Sequence, residues 1–168
     1  MSDNDQVQDH LNKAEGYLML GMHEDALYEA TQAAEADAAS YVARLMQGIA
    51  LIALDRNEAA GEVLTQAAGL EPDRPEAYIH LAYVHRRIVS LDKAIETITR
   101  AVELKPDMPL ANYNLACYYA LNNNPDEALR YLSRAVNIAP QYREAARQDE
   151  DFESLHPNER FRRLVEME

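Results

Sequence analysis

Residues 75–108 read PEAYIHLAYVHRRIVSLDKAIETITRAVELKPDM. Pro75 stands where a first helical turn tolerates proline, because an N–H at that position has no helical partner to lose. Candidate packing residues then recur at Tyr78, Leu81, Ala82 and His85, a spacing of three and four that lines up one helical face. The pattern breaks near Val89 and Ser90. It restarts as Leu91, Ala94, Ile95, Ile98, Ala101 and Leu104, and Pro106 stops it because proline cannot continue a helix. The stretch is predicted to be two antiparallel helices joined by a tight turn.

The same pattern returns along the chain. Alanine recurs every 34 residues at Ala26, Ala60, Ala94 and Ala128, and again at Ala33, Ala67, Ala101 and Ala135. A third position is always small: Ala14, Gly48, Ala82 and Ala116. Four abutting windows follow, 7–40, 41–74, 75–108 and 109–142. The fourth shows its own helical spacing in Leu115, Ala116, Tyr119, Ala128, Leu132 and Ala135, punctuated by Pro109, Pro125 and Pro140. A fixed step of this size marks a stack of supersecondary units. No helix of such a unit can bury its apolar stripe alone, and stacking buries it against the next unit. The alanines have a steric task, since they let helix backbones approach where a leucine would overfill the contact.

Composition narrows the function. The chain has 168 residues, 48% of them hydrophobic, and a net charge of −13. Nucleic acid and anionic lipid surfaces are poor partners for such a polyanion. The acids concentrate at the start: Asp3, Asp5, Asp9, Glu15, Glu24, Asp25, Glu29, Glu35 and Asp37 face a single base, Lys13, within residues 1–40. This imbalance serves solubility, or steers a basic partner toward the N-terminal end. The longest apolar run, Ile49 to Leu54, is far below the roughly 18 residues of a membrane helix. The opening MSDNDQVQDH has neither the basic nor the apolar segment of a secretory signal. A lone cysteine, Cys117, forms no internal disulfide. The expectation is a cytoplasmic protein with no membrane insertion and no nucleic-acid partner.

The windows resemble the tetratricopeptide repeat (TPR) family. That family has a small residue eighth, an aromatic eleventh, alanine twentieth, a large apolar residue twenty-fourth, alanine twenty-seventh and proline thirty-second. Here Tyr17, Leu51, His85 and Tyr119 stand eleventh, and Ala30, Leu64, Ile98 and Leu132 twenty-fourth. Ala38, Pro72, Pro106 and Pro140 stand thirty-second. The family's fourth-position tryptophan is replaced by His10, Arg44, Tyr78 and Asn112, and its seventh-position leucine by Lys13 and Gln47 in the first two repeats. The match spans about four-fifths of the chain. The resemblance completes the fold prediction: an all-α, right-handed superhelical solenoid of four TPR helix pairs plus C-terminal capping helices. Its parts are an acidic N-terminal extension (1–6), the repeats (7–142) and a C-terminal segment (143–168). In that last segment the phase is lost, and Phe152, Leu155, Phe161, Leu164 and Val165 are its main apolar residues. It is expected to cap the open apolar face of the last pair; the alternative is that it folds back into the binding groove and inhibits it.

In the family, the first helix of each pair lines a concave groove. The resemblance places Asn12 there from the first repeat; Met46, Ile49 and Ile52 from the second; His80, Tyr83, Arg86 and Arg87 from the third; and Tyr113, Asn114 and Cys117 from the fourth. Met46, Ile49 and Ile52 would form an exposed, adaptable apolar patch. Tyr83 and Tyr113 would be amphipathic anchors. Asn12 and Asn114 would bond a peptide backbone, and Arg86 and Arg87 an acidic group. The implied partner is a protein or peptide ligand, helical or extended, with apolar anchors and one acid. The carboxylate clamp of chaperone-tail binders is not matched, because Leu11, Glu15, Met46, Glu76 and His80, or in the next frame Leu45, Ile49, His80, Leu110 and Asn114, stand at its positions.

Nothing points to catalysis. His80 and His85 are five residues apart and face different ways, and His10, His23 and His156 make no ligand pair on a helix. Cys117 has no evident base, so it reads as a small apolar filler that happens to fall in the groove. The glycines are scattered, so no phosphate loop forms. Asp149, Glu150 and Asp151 read as solvated acids. The function read from the sequence is a non-catalytic interaction scaffold or adaptor without cofactor or metal, not an enzyme, with a monomer favoured. The alternatives are a dedicated chaperone for a secreted or membrane-active client, a noncatalytic subunit of a larger enzyme assembly, or self-assembly with the tail of one copy in the groove of another.

Overall fold

A computed structural model describes residues 3–166. The two residues that open the acidic stretch and the last two of the tail lie outside the described residues. Helices follow one another throughout, and no strand occurs among the described residues. The first pair is α1 (Asp3–Met19) and α2 (His23–Ala36), and the second α3 (Tyr41–Ala53) and α4 (Asn57–Leu70). The third is α5 (Pro75–Ile88) and α6 (Leu91–Leu104), and the fourth α7 (Pro109–Leu121) and α8 (Pro125–Ile138). Residues 3–6 form the first turn of α1. Each helix packs on the one before and the one after, and α1 also touches α3, and α3 touches α5. The first helices of successive pairs thus form one inner layer of a right-handed superhelical solenoid.

The small residues sit where the backbones close in. Both alanine ladders are fully buried, as are Ala14, Ala82 and Ala116. At the corresponding Gly48, an added Cβ would lie 2.5 Å from Leu64 Cγ, well inside van der Waals contact. A side chain as small as alanine's is therefore already too large between α3 and α4.

The turns inside the pairs show one exception. Gly21, Asp55 and Asn123 share a repeat phase, and all take the left-handed backbone, with φ of 72°, 57° and 54°. Glycine, aspartate and asparagine tolerate that region best. The third turn carries Val89 at this phase, with φ −116°. A β-branched side chain resists the left-handed region. There α5 runs one residue longer than α3 or α7, and Val89 is left exposed. All four turns still close alike: the N–H groups of Met22, Arg56, Ser90 and Asn124 donate to the carbonyls of Tyr17, Leu51, His85 and Tyr119.

Between pairs, the fourth repeat position has a shared role in the last two repeats. Tyr78 OH donates to the Pro72 carbonyl at 3.1 Å, and Asn112 Nδ2 to the Pro106 carbonyl at 2.9 Å. Each ties the start of a pair to the proline that ended the previous one.

The chain then starts a fifth first helix, α9 (Tyr142–Gln148), and abandons it. The repeat phase puts Glu150 where every earlier first helix has alanine or glycine. A carboxylate cannot enter that tight, dry contact without a partner. At Asp149 the chain leaves the helix, and the Asp149 side chain accepts from the Asp151 N–H at 3.0 Å to cap a 3₁₀ helix, Glu150–Leu155. This segment packs on α7. Asn158 then caps α10 (Glu159–Glu166), which packs on α8 and α9. Phe152, Leu155, Phe161 and Val165 are all buried in one cluster with Leu115 and Leu132, so the tail closes the last pair. No helix among the described residues is long and apolar enough to cross a membrane.

Candidate functional site

The eleven groove residues predicted from the sequence divide into two environments. Asn12 is exposed and accepts from Gln8 Nε2 at 2.9 Å. Met46, Ile49 and Ile52 are half-buried. Met46 packs against a cluster that includes Val7, Leu11 and Ala33 of the first repeat, and Ile52 against one that includes Leu81 and Val84 of the third. The open apolar patch expected there is therefore partly covered by neighbouring repeats, because these side chains are long enough to reach across the seam between pairs. Tyr83 is exposed, and its hydroxyl accepts from Arg87 Nη1 at 3.1 Å. Arg87 Nη2 also donates to Asp55 Oδ1 at 2.8 Å. His80 and Asn114 are half-buried. Burial lowers the His80 pKa despite an opposing pull from Glu76, so the ring is neutral at neutral pH.

Arg86, Tyr113 and Cys117 form the second environment, because the chain's own tail lies on them. Arg86 donates to both oxygens of Asp151, at 2.6 and 2.7 Å. Tyr113 OH donates to Asp149 Oδ2 at 2.8 Å, and the Cys117 thiol lies 3.7 Å from the same oxygen. The Phe152 ring meets Tyr113 edge-on at 5.6 Å, and lies 5.8 Å from Phe161. Tyr142 closes the cluster, 4.7 Å from Tyr113. The Arg86 guanidinium lies 5.7 Å from the Tyr118 ring centre. Asp149 and Asp151 are thus half-buried and bonded, unlike the solvated acids expected from the sequence. The readable signal was Glu150 at a small-residue position, which forces the chain out of the repeat just here.

Burial sets the protonation states of this second environment. Burial, with the nearby Asp149 and Asp151 charges, pushes the Cys117 thiol well above its ordinary pKa. It stays protonated and is a poor nucleophile. Burial likewise pushes Tyr113 upward, helped by Cys117 and Asp149, and keeps its hydroxyl a donor. Burial disfavours the charge on Arg86, but the Asp151 carboxylate outweighs it and raises the pKa. Cys117, Asp149 and Asp151 bring their ligand atoms within 4.8 Å of one another. Arg86 pairs with Asp151, and the Tyr113 hydroxyl and Cys117 thiol point at Asp149, so the oxygens of the cluster already have donors in place.

A separate cleft of about 800 Å³ lies between α4, α5 and α6, lined by Thr65, Tyr78, Leu81, His85, Lys93 and Thr97 among others. Thr97 donates to the Lys93 carbonyl at 2.8 Å, so its oxygen accepts from His85 Nδ1–H, also at 2.8 Å. His85 stands where the fourth repeat has Tyr119, whose ring stacks on Tyr131 at 5.7 Å.

Two family models described as tetratricopeptide repeat match the chain, one over residues 45–109 and the other over residues 109–142. No curated protein matches it in sequence. Among solved structures it is similar to MamA, at 25% identity over 82% of this chain and 81% of that one, with a TM-score of 0.72. It is similar to pilF of Pseudomonas aeruginosa, at 16% identity over 98% and 73%, with a TM-score of 0.83. It is also similar to YrrB, described as a TPR protein with an unusual peptide-binding site, at 17% identity over 98% and 87%, with a TM-score of 0.69. The last two likenesses concern the fold alone.

Proposed function

The chain belongs to the tetratricopeptide repeat family, and on that premise we propose that it is a non-catalytic scaffold or adaptor that binds a protein or peptide segment along the concave face of its solenoid. Repeats of this family generally mediate protein–protein interaction. The observation that carries the reading is the uneven cover of the inner layer. The tail lies on α7 and reaches α5 through Arg86, while the groove positions of α1 and α3 keep exposed or half-exposed side chains. Met46, Ile49 and Ile52 offer apolar contact there, Tyr83 an aromatic anchor, and Asn12, His80 and Arg87 the polar contacts that orient a ligand. Mixed apolar and polar lining of this kind suits a segment with two or three apolar side chains and a free backbone edge.

Chemistry supports the non-catalytic reading: the Cys117 thiol is buried and held protonated, which makes it a poor nucleophile.

The test is affinity purification of the full chain beside its Ile49→Ala/Tyr83→Ala variant, with bound proteins quantified by mass spectrometry. Anchors of this kind carry about 2 kcal/mol or more, so a specific partner should fall at least about tenfold in the variant. Partners recovered in equal amounts from both chains would remove the concave face as the binding surface.

A further inference from the structure

The tail does more than close the last helix pair. It lays the sequence Asp149-Glu150-Asp151-Phe152 across α5 and α7 with the contacts of a bound ligand: a two-toothed arginine–carboxylate pair, a phenol–carboxylate hydrogen bond, and an aromatic ring against an aromatic wall. We propose that the α5–α7 part of the concave face is a recognition site for segments of the form Asp-x-Asp-aromatic in a partner protein, and that residues 149–152 are the built-in occupant such a segment displaces. This deepens the scaffold reading and rests on it.

Three observations carry the proposal. First, the residues that receive the tail belong to the repeats. Arg86 lies on α5 and Tyr113 and Cys117 on α7, so the site is made by the solenoid and presented to whatever segment lies on it. Second, the match is chemical at two places at once. Arg86 takes the second carboxylate with both of its terminal nitrogens, and the Tyr113 hydroxyl donates a hydrogen bond to the first. A paired guanidinium and a neutral donor select two acids spaced by one residue, because each acid needs its own partner. The aromatic residue that follows has the Tyr113 ring to lie against. Third, the occupant is a single six-residue 3₁₀ helix between Asp149 and His156. Its release exposes the buried Phe152 and Leu155, a cost that an incoming aromatic residue offsets in the Phe152 place.

The physics of competition follows. The tail is tethered about a dozen residues beyond α8, so its effective concentration at the site is in the millimolar range. A free peptide of the same sequence must overcome that, and its apparent affinity falls by the fraction of time the site is open. A partner succeeds by adding contacts on the unoccupied stretch over α1 and α3, which the tail does not use.

The probe is a labelled peptide with residues 146–156, ARQDEDFESLH. Its binding is read by fluorescence anisotropy against the full chain, against Asp151→Arg, which turns the tail's own contact repulsive toward Arg86, and against the near-isosteric Asp149→Asn/Asp151→Asn. Circular dichroism checks that the solenoid is intact, and hydrogen exchange at the amides of 150–155 reports release of the tail. The expected result is faster exchange in both variants and peptide binding at least about tenfold tighter than to the wild type. Adding Arg86→Glu to Asp149→Asn/Asp151→Asn, or replacing the phenylalanine of the peptide by alanine, should then weaken binding by a similar factor. The proposal is overturned if the variants release the tail yet bind the peptide no better, or if binding ignores Arg86→Glu. It is equally overturned if neither variant releases the tail, since the segment is then a fixed part of the core. The scaffold reading fails separately, on the Ile49→Ala/Tyr83→Ala comparison, which touches none of these contacts.

Discussion

Cys117 and Ile49 occupy the same position of the repeat, two repeats apart, yet Cys117 is 4% exposed while Ile49 remains half-open. Tyr83 holds that position too, on α5, and is 37% exposed. The repeat phase puts all three on the inner helices, and it does not decide whether they meet solvent. What decides is the neighbour laid over them. Over α7 the chain supplies its own acidic and aromatic segment; over α1 and α3 the described residues supply no such cover. One solenoid therefore carries a filled recognition surface beside an open one. Its two ends should respond to mutation independently, because stacked repeats pass energy only to their nearest neighbours.

The strongest way to break that comparison is Phe152→Ala. The ring is fully buried between Tyr113 and Phe161. Its removal should cost about 3–5 kcal/mol in urea unfolding. The loss should appear as faster hydrogen exchange from α7 to α10, with α1 to α4 little changed. Uniform acceleration along the chain would mean that the solenoid unfolds as a single unit, and the contrast between the two ends would have no energetic meaning.

Gly48→Ala is the reciprocal experiment at the open end. The new Cβ would lie 2.5 Å from Leu64 Cγ, and Leu64 is fully buried, so it must shift within the core. The overpacking should cost about 1–3 kcal/mol and loosen α3 and α4 first. The tail's amides should keep their protection. A variant as stable as the wild type would show that the backbones of this pair can part without penalty.

The difference between the two ends also marks where sequence reasoning succeeds. The spacing of small residues is a demand of backbone geometry, so the four helix pairs are legible at Ala26, Ala60, Ala94 and Ala128 without any structure. The turns are legible as breaks, but Val89 in place of a left-handed residue shows only in the backbone angles. The content of the groove is less legible. Met46 and Ile52 look open by phase, yet they lean on neighbouring repeats, because side-chain reach across a seam is a tertiary property. Asp149 and Asp151 look like ordinary surface acids, since their partners Tyr113 and Arg86 are 36 and 65 residues away. No local pattern encodes a contact of that separation. The one local clue is Glu150, whose charge is incompatible with the small-residue position it inherits.

The smallest effect sharpens the comparison most finely, because it sits one residue from the site. Arg86 and Arg87 are identical in type and adjacent in sequence. Arg86 holds a half-buried carboxylate with two hydrogen bonds, while Arg87 pairs with Asp55, whose side chain is 74% exposed. Exposed pairs of the second kind contribute about 0–1 kcal/mol, since water and salt screen them and two flexible side chains must be held still. Arg87→Ala should therefore lower the stability read from urea unfolding by less than about 1 kcal/mol, and leave exchange at 150–155 untouched. Among the described residues Arg86 is the arginine that grips Asp151, so a change there, unlike one at Arg87, should free the tail. If Arg87→Ala instead releases the tail, the grip on Asp151 belongs to the combined field of both arginines, and the selectivity for two spaced acids loses its geometric basis.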